Sequence, residues 1–174
     1  MRLFTLFLAS FLLLANAPTE TNASTEPVFV YQRIHSLVQH HDNRITLRVW
    51  DDGRMEMRFP AYTPRAGHYQ GHLESSGMTE LDRMVSMLAN IRPAELTDRL
   101  NLARSTSLVE IADADMVRFS HRGASREKFE LVLPAPDAWS SVIPQVSELA
   151  ILDELERDLR GWMDRQIQRM ERQP

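Results

Sequence analysis

The chain has 174 residues, a formal net charge of −4 and no cysteine. This length suits one ordinary domain with its own core, and the absence of cysteine excludes disulfides and thiol chemistry. The acidic balance argues against nucleic acid or an anionic membrane surface as the main partner. Lys128 is the only lysine among many arginines, a bias typical of a GC-rich genome, which favours a bacterial source.

Residues 1–17 predict a secretory signal peptide. Arg2 precedes an apolar run from Leu3 to Leu14, and Ala15-Asn16-Ala17 follows as a small-x-small cleavage site. The run of about 12 residues is shorter than the roughly 20 that a spanning helix needs. We therefore expect a periplasmic or secreted protein with no membrane span after cleavage, which removes Arg2 and leaves a net charge of −5. Residues 18–27 then form a flexible leader, and residues 28–174 a single domain.

The stretch Asn43–Pro60 predicts a β-hairpin, in which the strand-like runs Ile45–Trp50 and Arg54–Phe59 flank Asp51-Asp52-Gly53. A two-residue loop would mix apolar and charged side chains on both faces. A three-residue loop, with Gly53 in the left-handed conformation, gives one wholly apolar face, so we predict that register. The apolar pairs are then Val49–Met55, Leu47–Met57 and Ile45–Phe59, and the other face pairs Arg48 with Glu56 and Trp50 with Arg54.

The remaining elements follow from hydrophobic periodicity. Val28–Val38 fits a strand or a helical face, and its β-branched and aromatic residues favour a strand. Other predicted strands are His68–Glu74, Leu108–Ile111, Met116–Ser120 and Lys128–Leu133. Predicted helices run from Thr79 to Ile91, from Pro93 to about Ala103, over a turn at Asp137–Trp139, and from Pro144 to about Met170. The sequence therefore predicts an α+β fold, an antiparallel sheet of about five to six strands with helices packed on one face and a long C-terminal helix.

The long C-terminal helix carries two pairs of opposite charge with the acid four residues before the base. They are Asp153–Arg157 and Glu156–Arg160. Such pairs favour an exposed helix face and add about 0.2–0.5 kcal/mol each. We therefore expect both pairs to lie on the solvent side of the helix.

Histidines of the N-terminal half raise the hypothesis of a zinc or copper site, with His35, His68 and His72 as candidate ligands. Four residues along a strand separate His68 and His72 by roughly 13 Å, too far for both to bind one ion. The adjacent His40 and His41 could share a metal only in an irregular turn. The spacing matches no recognised zinc pattern, so metal binding is the alternative hypothesis and no cofactor is predicted.

The chain has no Gly-x-Ser-x-Gly elbow, no phosphate loop and no dinucleotide-binding glycine pattern. The sequence therefore favours a non-catalytic protein, and an enzyme of unrecognised type is the third alternative.

Arginine and aromatic residues on and beside the hairpin form the candidate interaction surface. The predicted residues are Arg48, Trp50, Arg54, Arg58 and Tyr62. This composition is enriched at protein interfaces. We predict a binding or accessory protein that contacts a protein partner in the cell envelope. The competing interpretation is that the arginines are merely solvated and that Trp50 is covered by a neighbouring element.

The order of these motifs also resembles that of uncharacterised exported bacterial proteins. The residues that carry the resemblance are Ile45–Trp50, Asp52-Gly53, Arg54–Phe59, Gly67-His68-Tyr69 and Thr79-Glu80-Leu81. The resemblance implies export and an α+β fold, and it brings no activity and no catalytic residues.

Overall fold

A computed structural model describes residues 25–38, 42–106, 113–123 and 128–172. Its centre is one six-stranded sheet in which every neighbouring pair is antiparallel, with the order β4-β3-β2-β1-β5-β6. The strands are β1 (Phe29–Ile34), β2 (Arg44–Val49), β3 (Arg54–Phe59), β4 (Gly67–His72), β5 (Met116–Arg122) and β6 (Lys128–Pro134).

Helices cover one side of this sheet and confirm the predicted α+β class. They are α1 (Ser75–Val85), continued by a 3-10 turn (Ser86–Leu88), then α2 (Pro93–Thr106), α3 (Pro136–Trp139) and the long C-terminal α4 (Glu148–Arg172). Alternate strand residues such as Leu47, Met57 and Phe119 form one core with Leu155 and Trp162 of α4. No helix in the described ranges is long and apolar enough to cross a membrane.

The hairpin β2–β3 has the predicted register. Val49 lies opposite Met55, and Arg48 opposite Glu56. The Trp50 N–H donates to the Arg54 carbonyl at 2.9 Å, which closes a three-residue loop. Gly53 has φ +88°, the left-handed conformation that the loop was predicted to need.

Two helix starts differ from the prediction. The first helix begins at Ser75, and Thr79, the predicted first residue, lies within it and donates its hydroxyl to the Ser75 carbonyl at 2.9 Å. The long helix begins at Glu148 instead of Pro144, because the chain before it forms a turn in which the Val146 N–H donates to the Ile143 carbonyl. The predicted strand Leu108–Ile111 lies outside the described residues.

A buried carboxylate on α4 overturns one sequence expectation. The Asp153–Arg157 pair forms on the surface at 2.9 Å, as predicted. Glu156, expected on the same exposed face with Arg160, is instead 0% exposed. Its Oε1 accepts from the Tyr31 hydroxyl at 2.7 Å and from Arg33 Nη1 at 2.8 Å. These bonds tie the middle of α4 to the central strand β1.

Arg33 is the hub of this buried cluster. Besides Glu156 it binds Asp115 at 2.8 Å and Asp137 at 3.1 Å, so one guanidinium joins β1 to α4, to the residue before β5 and to α3. Burial lowers the pKa of Arg33, but the charge and hydrogen bond of Glu156, together with Asp115 and Asp137, outweigh burial and the pKa is raised. The charged guanidinium therefore hydrogen-bonds to three carboxylates.

Replacing Tyr31 with phenylalanine is expected to reduce the alkaline sensitivity of the fold. Burial, followed by the charge and hydrogen bond of Glu156, raises the pKa of Tyr31 well above its usual value of 10.0. A group whose pKa is raised on folding stabilises the protein below its unfolded pKa, and that contribution is lost as the pH rises towards the folded pKa. Urea unfolding at several pH values from 8 upward should show the free energy of unfolding falling above about pH 10 more steeply in the wild type than in Tyr31→Phe.

Equal steepness in the two proteins would contradict this assignment. At pH 8 the variant should be less stable by about 1–2 kcal/mol, because it loses one hydrogen bond to a charged group.

Candidate binding surface

The side of the sheet that faces away from the helices is rich in basic side chains. Because strand side chains alternate, residues of β1–β6 that do not enter the core point to this side. The strands place seven basic side chains here: Arg44, Arg48, Arg54, Arg58, Arg118, Arg122 and Lys128. The same side carries only two strand carboxylates, Glu56 and Glu130. We call this side the open face; its charge is opposite to the net charge of −4 of the whole chain.

Strand register aligns the open-face side chains in rows across the sheet. One row contains His68, Arg58, Thr46, Gln32 and Arg118, and the next contains Gln70, Glu56, Arg48, Val30 and Ser120. Gln32 and Thr46 are buried although they point away from the core, because the long stems of neighbouring arginines shield short polar side chains. The cations therefore stand above a polar, hydrogen-bonding floor.

A groove of about 780 Å³ runs over the first of these rows. Its floor contains Gln32 and Thr46, and its walls contain Arg44, Arg48, Arg58 and His68. The chain between β3 and β4 closes one side through Ala61 and Ala66. The groove thus brings together two of the predicted interaction residues, Arg48 and Arg58, and one predicted metal ligand, His68.

Ion pairs on the open face differ in strength. Arg58 binds Asp42 at 2.9 Å, whereas the Arg48–Glu56 contact is longer at 3.4 Å. Among the described residues, Arg44 has no ion-pair partner, although it is exposed in the groove. Exposed pairs of this kind contribute about 0–1 kcal/mol. A ligand carboxylate can therefore bind Arg44 directly and displace the long Arg48 contact at small cost.

Trp50 and Arg54 occupy the turn end of the hairpin, outside the groove. The Arg54 guanidinium lies 4.9 Å from the centre of the indole ring, so the predicted cation–π contact is present. The expectation that Trp50 belongs to an exposed aromatic surface is wrong, because the residue is only 8% exposed. Hydrogen bonds from the Arg54 backbone and then its side chain lower the pKa of Asp52, which stabilises the turn beneath the indole.

Tyr62 lies apart from the arginines. It is 50% exposed and its ring packs edge-on against His35, with ring centres 5.7 Å apart. Partial burial, and then the charges of Asp115 and Asp42, raise the pKa of its hydroxyl. The predicted interaction residues therefore fall into three places: Arg48 and Arg58 in the groove, Trp50 and Arg54 at the turn, and Tyr62 beside His35.

The three candidate metal ligands do not meet. His35 follows β1 and places Nδ1 3.0 Å from Asp115. His68 and His72 lie on β4, at least three strand spacings or roughly 14 Å away. The described residues contain no group of three or more histidine or acidic side chains able to hold a metal ion. His40 and His41 lie outside the described residues.

Arg44 lies in the groove and Arg118 in the first row, and the sequence interpretation selected neither. Both follow from period-two alternation, since each is a polar position in a strand whose neighbours are apolar. Arg118 binds Glu130 at 2.7 Å. Hydrogen bonding from Lys128, followed by the charges of Arg118 and Lys128, lowers the pKa of Glu130.

Comparison with known proteins gives no family assignment. No protein-family model, curated protein or solved structure matches the chain. The resemblance to exported bacterial proteins stays a prediction, and the functional argument rests on the geometry of the open face.

Proposed function

We propose that this chain is an exported, non-catalytic binding protein that acts through protein contacts, and that its groove on the open face binds an acidic segment of a partner in the cell envelope. The observation that supports the proposal is that the charge of the open face is opposite in sign to the net charge of the chain. A chain with a net charge of −4 gathers seven basic side chains on one side of its sheet. Among the described residues, six of the seven bind carboxylates, five in all, so this side keeps an excess of positive charge. That excess favours a partner of complementary charge.

Arginine suits this role better than lysine would. The guanidinium offers a planar set of donors that matches a carboxylate in a two-pronged hydrogen bond. Arg44, Arg48 and Arg58 project from two adjacent strands whose backbones are held in register. The backbone positions from which these side chains project are therefore fixed before binding, which reduces part of the ordering cost of the contact.

The groove also limits what the partner can be. Its floor of Gln32 and Thr46 offers hydrogen bonds to a peptide backbone, and its volume of about 780 Å³ admits a short extended segment. A phosphate polymer would meet the carboxylates of Glu56 and Asp42 among the arginines. This mixture of positive and negative side chains disfavours nucleic acid as the partner. It favours a protein segment that has both acidic and hydrogen-bonding side chains.

Removing the groove cations is expected to weaken binding of a fluorescein-labelled peptide of 12 residues rich in Asp and Glu. The variant Arg44→Ala/Arg48→Ala/Arg58→Ala should lose tenfold or more in affinity, about 1.4 kcal/mol. Affinity of the wild type should fall as salt is raised, because exposed charges are screened. Fluorescence anisotropy at two salt concentrations measures both effects.

A matched control is available on the helices. Arg83→Ala/Arg92→Ala/Arg157→Ala removes three exposed arginines, two of which bind carboxylates, and changes the net charge equally. The proposal is overturned if this control loses as much affinity as the groove variant. It is also overturned if the peptide does not bind, or if a single-stranded oligonucleotide binds the groove more tightly than the peptide.

A further inference from the structure

A second cavity lies on the opposite side of the sheet from the groove. It has a volume of about 690 Å³ and opens between the α1–α2 segment and the strands β5 and β6. Val85, Leu88 and Ile91 form its floor and are 3–5% exposed. Phe129 forms a wall. The volume lies within the range of small-molecule sites, about 300–1,000 Å³, and a mainly apolar lining is typical of them.

His121 is the polar group of this cavity. Burial lowers the pKa of its imidazole, and the charge of Asp82 opposes that shift only in part. This lowering favours the neutral ring, in which one nitrogen is a donor and the other an acceptor. None of the described residues hydrogen-bonds to the imidazole. Within the described ranges, both ring nitrogens are therefore open to a ligand, one as donor and one as acceptor.

The charges around the cavity select against ions. Lys128 already binds Glu130 at 2.8 Å, so this pair contributes little net charge. Asp82 at the rim repels an anionic ligand. A cation would have to leave water for a floor of Val85, Leu88 and Ile91, which is costly without a buried partner.

We propose that this cavity binds an uncharged, mainly apolar small molecule that carries one hydrogen-bonding group, with His121 as the partner of that group. The apolar floor supplies affinity, at about 25 cal/mol per Å² of apolar surface removed from water. The imidazole supplies orientation. The cavity shares no lining residue with the groove, and only Lys128 and Glu130, at the edge of the sheet, belong also to the open face. The proposal is therefore independent of the protein partner proposed above.

The test uses N-phenyl-1-naphthylamine, an uncharged aromatic amine with a single N–H, whose fluorescence rises in an apolar site. The purified protein should bind it saturably with one site per chain. Ala89→Trp, which adds an indole to the exposed rim of the cavity, should weaken binding at least tenfold. Ala150→Trp, the same change at an exposed position of α4 outside the cavity, should leave the affinity unchanged.

A second pair of ligands isolates the role of His121. 1-Phenylnaphthalene has almost the same shape but no N–H, so the wild type should bind it more weakly, by roughly tenfold for one hydrogen bond. His121→Leu should remove that preference while keeping 1-phenylnaphthalene bound, and its melting temperature verifies folding. The proposal is overturned if neither probe binds saturably, or if Ala150→Trp weakens binding as much as Ala89→Trp. It is also overturned if an anionic naphthalene sulfonate binds more tightly than the uncharged probes. A His121→Leu variant that still prefers N-phenyl-1-naphthylamine to 1-phenylnaphthalene would overturn the role of His121.

Discussion

Replacing Arg33 with methionine is expected to lower the free energy of unfolding by about 3–5 kcal/mol. The side chain is 12% exposed and binds a carboxylate, Glu156, that is fully buried. Without Arg33, the Tyr31 hydroxyl is the only hydrogen-bond donor that Glu156 keeps among the described residues. A buried charge that has lost its counter-charge must be tolerated or neutralised, and both alternatives destabilise the folded state. Urea unfolding monitored by circular dichroism measures the loss.

Two further variants separate this cause from lost packing. Arg33→Met/Glu156→Leu removes the buried pair and should recover part of the stability, because apolar residues of similar volume replace a buried ion pair at little cost. Asp115 and Asp137 still lose Arg33, but both are partly exposed to water. Arg157→Met breaks an exposed pair with Asp153 of nearly the same length, 2.9 Å, and should cost less than about 0.5 kcal/mol. A loss below about 1 kcal/mol for Arg33→Met, or no recovery in the double variant, contradicts the role assigned to the cluster.

Local pattern was sufficient to predict the hairpin and most of the sheet. The register of β2 and β3 follows from the requirement that one face be apolar, and that requirement involves only residues 45–59. The loop chemistry agrees, since Gly53 is the residue that tolerates the left-handed conformation. Sequence reasoning is strong where residues close together in the chain determine both the strand pairing and the turn.

The buried cluster could not be predicted by the same reasoning. Glu156 has a basic residue four positions later, which is the usual pattern of an exposed helix face, yet its true partner Arg33 is 123 residues away in sequence. A signal was nevertheless present. Glu156 lies between Leu152 and Leu159 on the apolar stripe of α4, and Arg33 continues the inward face of β1 after Tyr31. Two opposite charges at inward positions indicate a buried pair.

The candidate groove was predicted only in part, for a related reason. Arg48 and Arg58 belong to one hairpin, so their common face was visible in the sequence. Gln32 and Arg118 join them through pairing of β1 with β2 and β5, which connects distant parts of the chain. Trp50 was misplaced because its burial depends on how the hairpin end is covered, including the guanidinium of Arg54 above its ring.

Replacing Gly53 with alanine is expected to lower the free energy of unfolding by about 3 kcal/mol. At φ +88° an alanine is strained, which costs about 1–2 kcal/mol. Its Cβ would also lie 2.9 Å from the Leu73 carbonyl oxygen, a backbone atom that cannot move by itself. The Gly53 carbonyl accepts the Leu73 N–H at 2.8 Å, so the hairpin loop is fastened to the chain just before α1.

The matched control is the same substitution at Gly161 in α4. There an added Cβ meets only the end of Arg165, at 3.5 Å, and alanine is preferred over glycine in a helix by about 0.5–1 kcal/mol. Gly161→Ala should therefore be neutral or raise the melting temperature, whereas Gly53→Ala lowers it. If both variants shift in the same direction by the same amount, the left-handed loop does not fix the hairpin. In that case the alternation of apolar residues alone holds the register of β2 and β3.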